Sequence, residues 1–276
     1  MVKHTVILIC TICLNLLGDS YMRKSAIYLL LVLAIFLTSV SMPAYAAPSP
    51  SPSAQLGSKT TTQPASKETE TSDPAPWFDN CALIGDSVSD GLKLYAMQKR
   101  KKDPGFLGNL QFLTRNSYSL TFASAANPDM LLKYRGASMR PEDALKEMKA
   151  EKVFIMLGLN DMFHDGSENT AKYNKLIDNI RAKNPNIKIC LIAMTPIVTS
   201  GQYSEFQNTN VNEYNEVVRN VSSGKRCDFI DFNDKLRDET GGLKEEYSRD
   251  GFVHLKGGAY EIYAAALSKN AQFMDR

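Results

Sequence analysis

From residue 77 to the carboxyl terminus, short apolar runs alternate with amphipathic stretches, and that alternation confines the chain to an α/β fold with a largely parallel sheet. Residues 81–84 have the length of a strand, and the stretch 89–100 behind them carries helical spacing. Residues 110–113 form a weaker strand, while 153–157 and 187–194 are apolar nearly throughout, as strands covered on both faces must be. The spacing predicts helices over 141–149, with proline in the first turn, over 169–182 and over 210–221. A last short strand at 227–231 precedes a helix over 258–267. Each predicted strand ends in a cluster of polar residues. In an open α/β sheet ligands bind outside the carboxyl ends of the strands, so those clusters are where chemistry is to be sought.

The chain ahead of this domain reads differently. Arg23-Lys24 precedes an apolar run over 26–40, and Ala44-Tyr45-Ala46 supplies the small residues that a signal peptidase requires. Residues 1–46 are therefore read as a leader cleaved after Ala46, with Met22 as the true start, giving a secreted or cell-envelope-associated protein. The apolar run falls short of the roughly 20 residues of a membrane span, and the mature chain is expected to carry no integral span. Residues 47–76 are rich in Pro, Ser and Thr and poor in large apolar groups, so burial cannot offset their ordering entropy; they are expected to be a disordered linker to the domain at 77–276.

The formal net charge of +2 resides in the leader, where Lys3, Arg23 and Lys24 outnumber Asp19, and the remainder is close to neutral. A nucleic-acid partner is not expected. Cys81, Cys190 and Cys227 are the cysteines beyond the leader; the first two sit in apolar runs and read as buried free thiols. No Cys/His cluster has zinc spacing, and no phosphate-binding glycine loop follows a predicted strand, so neither metal nor cofactor is expected.

Gly85-Asp86-Ser87 follows the first strand directly and leads into a helix, which puts the Ser87 hydroxyl at the carboxyl edge of the sheet. Taken alone, the triplet reads more readily as a helix cap than as a nucleophile. Near the other end, Asp250-Gly-Phe-Val-His254 precedes the final helix and offers a base and a carboxylate to orient it. Only His164 and His254 remain after processing. Gly158-Leu159-Asn160-Asp161 ends the third strand, at the same edge as Ser87, where an Asn amide can donate to a developing oxyanion or simply make a turn.

Together these blocks resemble the SGNH (GDSL-like) hydrolases, in order and in spacing, over residues 77–276. The resemblance implies a three-layer flavodoxin-like sandwich with a mainly parallel five-stranded sheet. It makes Ser87 the nucleophile, His254 its base, Asp250 the orienting acid, and the Ser87 and Asn160 groups oxyanion donors. Two features depart from the family pattern. The glycine whose N–H completes the oxyanion hole has no clear counterpart in Arg115-Asn-Ser117-Tyr-Ser-Leu120, and Ser117 is assigned that role. The Asp250–His254 spacing is one residue longer than the family's.

The function so implied is an exported serine esterase acting on short-chain, chiefly acetyl, esters of a small molecule or of a cell-wall or extracellular glycan. The short acyl group is argued from the long connections 117–140 and 195–210, which mix Asn127, Lys133, Arg135, Gln202 and Asn208 with only scattered apolar residues. An O-acetyltransferase of the same fold would need the same groups, and a carbohydrate-binding relative without activity would keep only the fold.

Overall fold

The structure, a computed structural model, describes residues 75–125 and 130–274. The leader, nearly all of the linker and the loop residue Asn127 lie outside the described residues.

Five strands, β1 (Cys81–Gly85), β2 (Gln111–Thr114), β5 (Lys152–Met156), β6 (Lys188–Ile192) and β7 (Asp228–Ile230), form one sheet in the order β2-β1-β5-β6-β7. Every pairing in it is parallel. Counting only these strands, the order is 2-1-3-4-5, that of the flavodoxin-like sandwiches. Strands β1 and β5 are buried along their whole length, as central strands with helices on both faces must be.

On one face α1 (Ser87–Lys99) packs on β1 and β2 and against the last helix, α6 (Gly258–Met274). On the other, α4 (Gly166–Lys183) packs against α2 (Leu120–Ser124), α3 (Pro141–Met148) and α5 (Asn208–Lys225), and α5 also covers β6 and β7. Right-handed crossovers impose this division, because the chain first steps from β1 to β2 and then returns across β1 to β5. The strand order reverses between β1 and β5, and such sheets bind ligands at the carboxyl ends of the strands at that point.

The connection over 117–140 is more structured than its composition suggests. It holds α2 and a two-stranded hairpin, β3 (Leu132–Tyr134) with β4 (Ala137–Met139). The hairpin turns on Arg135 and Gly136, both with positive φ (47° and 84°), the conformation that two-residue turns demand. Helix α4 begins ahead of the predicted residue 169 because Asp165 caps it, accepting the Glu168 N–H at 2.8 Å. Cys81 and Cys190 are buried and Cys227 is partly so, and all three are unbridged. Among the described residues no helix is long and apolar enough to cross a membrane.

Candidate active site

Strand β1 delivers Ser87 to the carboxyl edge as the first residue of α1, but the helix cap is its neighbour: the Asp86 carboxylate accepts the Val88 N–H at 2.9 Å. That leaves the Ser87 hydroxyl for another partner, and His254 Nε2 lies 3.0 Å from Ser87 Oγ. Burial pushes the Asp86 carboxyl up to about 7, against the opposing pull of the Val88 N–H and of His254. Ser89, two residues on, is fully buried and hydrogen-bonded to the Tyr263 hydroxyl at 3.2 Å, out of reach of this chemistry.

His254 sits on the segment before α6. Its Nδ1 meets the Asp250 carboxylate. The extra residue between the two is taken up by a turn in which Gly251 adopts φ +72° and Asp250 Oδ1 accepts the N–H groups of Phe252 (3.0 Å) and His254 (3.3 Å). Partial burial raises the Asp250 carboxyl, but the bonds from the His254 ring and the Phe252 N–H outweigh it and hold the group below the usual carboxylate range. The segment is closed on itself: Arg249 N–H donates to the His254 carbonyl (2.8 Å), Lys256 N–H to the Tyr247 carbonyl (2.9 Å), and Ser248 bridges Leu255.

The loop after β5 carries Asn160 and Asp161. Gly158 enters it at φ +139°, and a side chain there would run into the Tyr214 ring, so two independent constraints select glycine. Asn160 donates one amide hydrogen to the Tyr118 carbonyl (3.2 Å); a primary amide has a second to give. Asp161 is fully buried and accepts the Leu120 N–H (2.6 Å), the Thr121 N–H (3.0 Å) and the Thr121 hydroxyl (2.8 Å), so it pins the start of α2 beside Asn160. In the sequence the only signal of this duty is the Asn160-Asp161 pair itself.

Between β2 and α2, Ser117 is exposed, with left-handed φ of 56°, the conformation that glycine would adopt at lower cost. Two residues on, Ser119 is buried and caps α2 through its hydroxyl, while its own N–H meets no acceptor among the described residues. The Ser87 N–H, at the head of α1, is likewise without one. Both N–H groups stand at helix amino termini at one edge of the sheet, where such groups can receive an acceptor.

His164 lies elsewhere, its Nδ1 2.9 Å from Glu168 and its Nε2 3.4 Å from the Thr121 hydroxyl. Ser87, His254 and Asp250 thus stand in a hydrogen-bonded line, and the loops bearing Asn160, Ser117 and Ser119 meet through the Asn160–Tyr118 bond. Among the described residues no cluster of His, Cys, Asp and Glu could hold a metal ion. A hydroxyl in contact with an imidazole whose far nitrogen is held by a carboxylate is arranged to lose its proton as it attacks an electrophile.

The sequence model of the GDSL-like lipase/acylhydrolase family matches residues 83–262. Among solved structures, a GDSL-like lipase from Bacteroides thetaiotaomicron superposes with a TM-score of 0.53 at 13% identity, covering 72% of this chain and 90% of that one. An acetyl xylan esterase superposes with a TM-score of 0.50 at 19% identity, covering 69% of this chain and 98% of that one. No curated protein matches the sequence.

Proposed function

The chain belongs to the GDSL-like lipase/acylhydrolase family and is a hydrolase of ester bonds; from that premise we propose that it is an exported serine esterase removing short acyl groups, chiefly acetyl, from carbohydrate. The observation that carries the catalytic part is the 3.0 Å approach of His254 Nε2 to Ser87 Oγ, with Nδ1 on Asp250. Ser87 Oγ attacks the acyl carbon as His254 Nε2 takes its proton, and Asp250 keeps the Nδ1–H tautomer and steadies the imidazolium. Negative charge builds on the carbonyl oxygen, for which the Ser87 N–H and the second Asn160 amide hydrogen are free. The third donor is a backbone N–H between β2 and α2, from Ser117 or from Ser119, whose N–H has no acceptor among the described residues. His254 then returns the proton to the leaving alcohol, and water repeats the cycle on the acyl-enzyme. A binding module without activity would have no use for a His–Ser contact of this geometry.

The acetyl and carbohydrate parts rest on the polar loops around the site and on the leader and linker, which would set the domain outside the membrane where acylated glycans are met. The acetyl xylan esterase that shares the fold is in keeping with that reading. Rates on nitrophenyl esters from acetyl to decanoyl test the acyl group: a maximum at two to four carbons is expected, and one at eight or more overturns it. Acetate release from an acetylated glycan, measured beside acetyl transfer to an added glycan acceptor, separates hydrolysis from transfer.

A further inference from the structure

The connection between β6 and α5 reads in sequence as polar with scattered apolar residues, yet the fold gathers two of them. Tyr203 and Phe206 meet Phe252, two residues before His254, with ring centroids 5.3 to 5.4 Å apart in all three pairs. Phe206 and Phe252 are half-buried, and packing alone accounts for them. Tyr203 is 56% exposed. Its backbone is held, because residues 203–206 close into a turn with reciprocal backbone bonds (Tyr203 N–H to Phe206 carbonyl 3.2 Å, Phe206 N–H to Tyr203 carbonyl 2.9 Å) and Ser204 at φ 47°, and its ring rests against Phe206 and Phe252. The Val198 N–H, donating to the Phe252 carbonyl at 3.0 Å, fastens this connection to the histidine segment. An exposed ring already packed on two others binds at lower entropic cost than a free one.

Its placement says which half of an ester it would meet. His254 Nε2 hands a proton to the leaving oxygen, so the alcohol portion must lie on the side of His254. The acyl carbonyl turns toward the donors on the β1, β2 and β5 loops. Phe252 shares the segment of His254, and the cluster therefore borders the alcohol and not the acyl chain. Its surroundings are polar, with the carboxylates of Asp238, bonded to the Thr240 hydroxyl, and Asp250, bonded to the Phe252 N–H, as the acids nearby. Residues 199–208 contain no Lys or Arg and a single acid, Glu205, and the Thr199 and Thr240 hydroxyls are bonded to each other at 2.6 Å beside the Gln202 amide. A ring face rimmed by hydroxyls and amides suits a pyranose, which offers C–H groups on its faces and hydroxyls at its edge.

We propose that Tyr203, backed by Phe206 and Phe252, is a stacking platform for a sugar ring on the leaving-alcohol side of the ester. This rests on the esterase reading above and names the half of the substrate that the protein recognises. In the full chain, Tyr203→Ala is expected to lower the ratio of kcat/KM for an acetylated oligosaccharide to that for nitrophenyl acetate by about tenfold, through KM, with Tyr203→Phe retaining most of it. A ratio unchanged in Tyr203→Ala overturns the platform. So does a changed acyl-length profile on nitrophenyl esters, which would make the cluster an acyl pocket. A second measurement separates this proposal from the esterase reading: calorimetric titration of the Ser87→Ala protein with the deacetylated oligosaccharide, with and without Tyr203→Ala. Binding weakened about tenfold by the second substitution supports the platform even if no ester is turned over, whereas binding that is absent or indifferent to Tyr203 overturns it.

Discussion

Asp161 accepts the backbone N–H of Leu120 at 2.6 Å across a separation of 41 residues, so a carboxylate on the β5 loop serves as the cap of a helix that it does not precede. The same group takes the Thr121 N–H and hydroxyl, and the α2 start, the Tyr118 carbonyl and Asn160 are thereby fixed as one unit. Asp161→Ala leaves these buried donors unsatisfied and is expected to cost about 1–3 kcal/mol. Activity should fall with it, through kcat more than KM, because the proposed oxyanion donors lose their placement. Thermal melting and steady-state kinetics check both; a variant that melts lower at full kcat would make Asp161 a purely structural cap.

Ser87→Ala should abolish turnover while the melting temperature stays near that of the parent, since the helix is capped by Asp86 and not by Ser87. Ser89→Ala removes only the bond to Tyr263, about 1 kcal/mol of stability, and should keep its activity. Residual turnover above a few percent in a verified Ser87→Ala preparation would move the nucleophile elsewhere.

Asn160→Ala should lower kcat by roughly 10²–10³ with little change in apparent affinity, the usual effect of losing one oxyanion donor. A loss under about threefold would leave Asn160 with its structural bond to Tyr118 as its only role.

Loss of the base should be complete in His254→Ala and slight in His164→Ala, which faces Glu168 and Thr121. Asp250→Asn is expected to reduce kcat by as much as about 10⁴, the cost of a mis-set tautomer. A loss below tenfold would mean that the imidazole keeps its orientation without the carboxylate.

Asp86 gives stability a pH dependence whose sign can be worked out. With its folded pKa raised from 3.8 to about 7, the native state binds the proton more tightly than the unfolded chain, so this contribution is greatest below pH 4 and is lost as pH rises toward 7. By linkage the full span is on the order of 4 kcal/mol. Asp86→Asn keeps an acceptor for the Val88 N–H and removes the titration. Its melting temperature should therefore match the parent near pH 4 and exceed it by several degrees at pH 8, as scanning calorimetry at the two pH values will show. Equal differences at both would place the Asp86 titration outside this range.

The parallel sheet was legible because β1, β5 and β6 are apolar runs bounded by polar clusters, a pattern that survives without tertiary knowledge. Residues 117–140 were not: Arg135-Gly136 is a weak turn signal beside Asn-Gly, and α2 is five residues long and held by an acceptor far away in sequence. The same division holds at the site. Ser87, His254, Asp250 and Asn160 stand in local motifs, whereas the duty of Asp161, the free Ser119 N–H and the Tyr203–Phe206–Phe252 cluster exist only once loops from different strands are brought together.

The proposed general base is not carried by the sheet. His254 rides on a segment closed by a few backbone bonds, Arg249 to His254, Lys256 to Tyr247 and Val198 to Phe252, while Ser87 heads a helix rooted in a fully buried strand. Val253 and Leu255 pin this segment to the core, but its backbone lies outside the sheet ladder, and such irregular segments open at lower free energy than the strands beneath them. On warming, the enzyme should therefore fall silent before it melts, and cooling from that interval should restore it in full. Amide hydrogens around 249–256 would exchange with solvent well ahead of those in β1, making this segment the point at which heat first separates the working protein from the merely folded one.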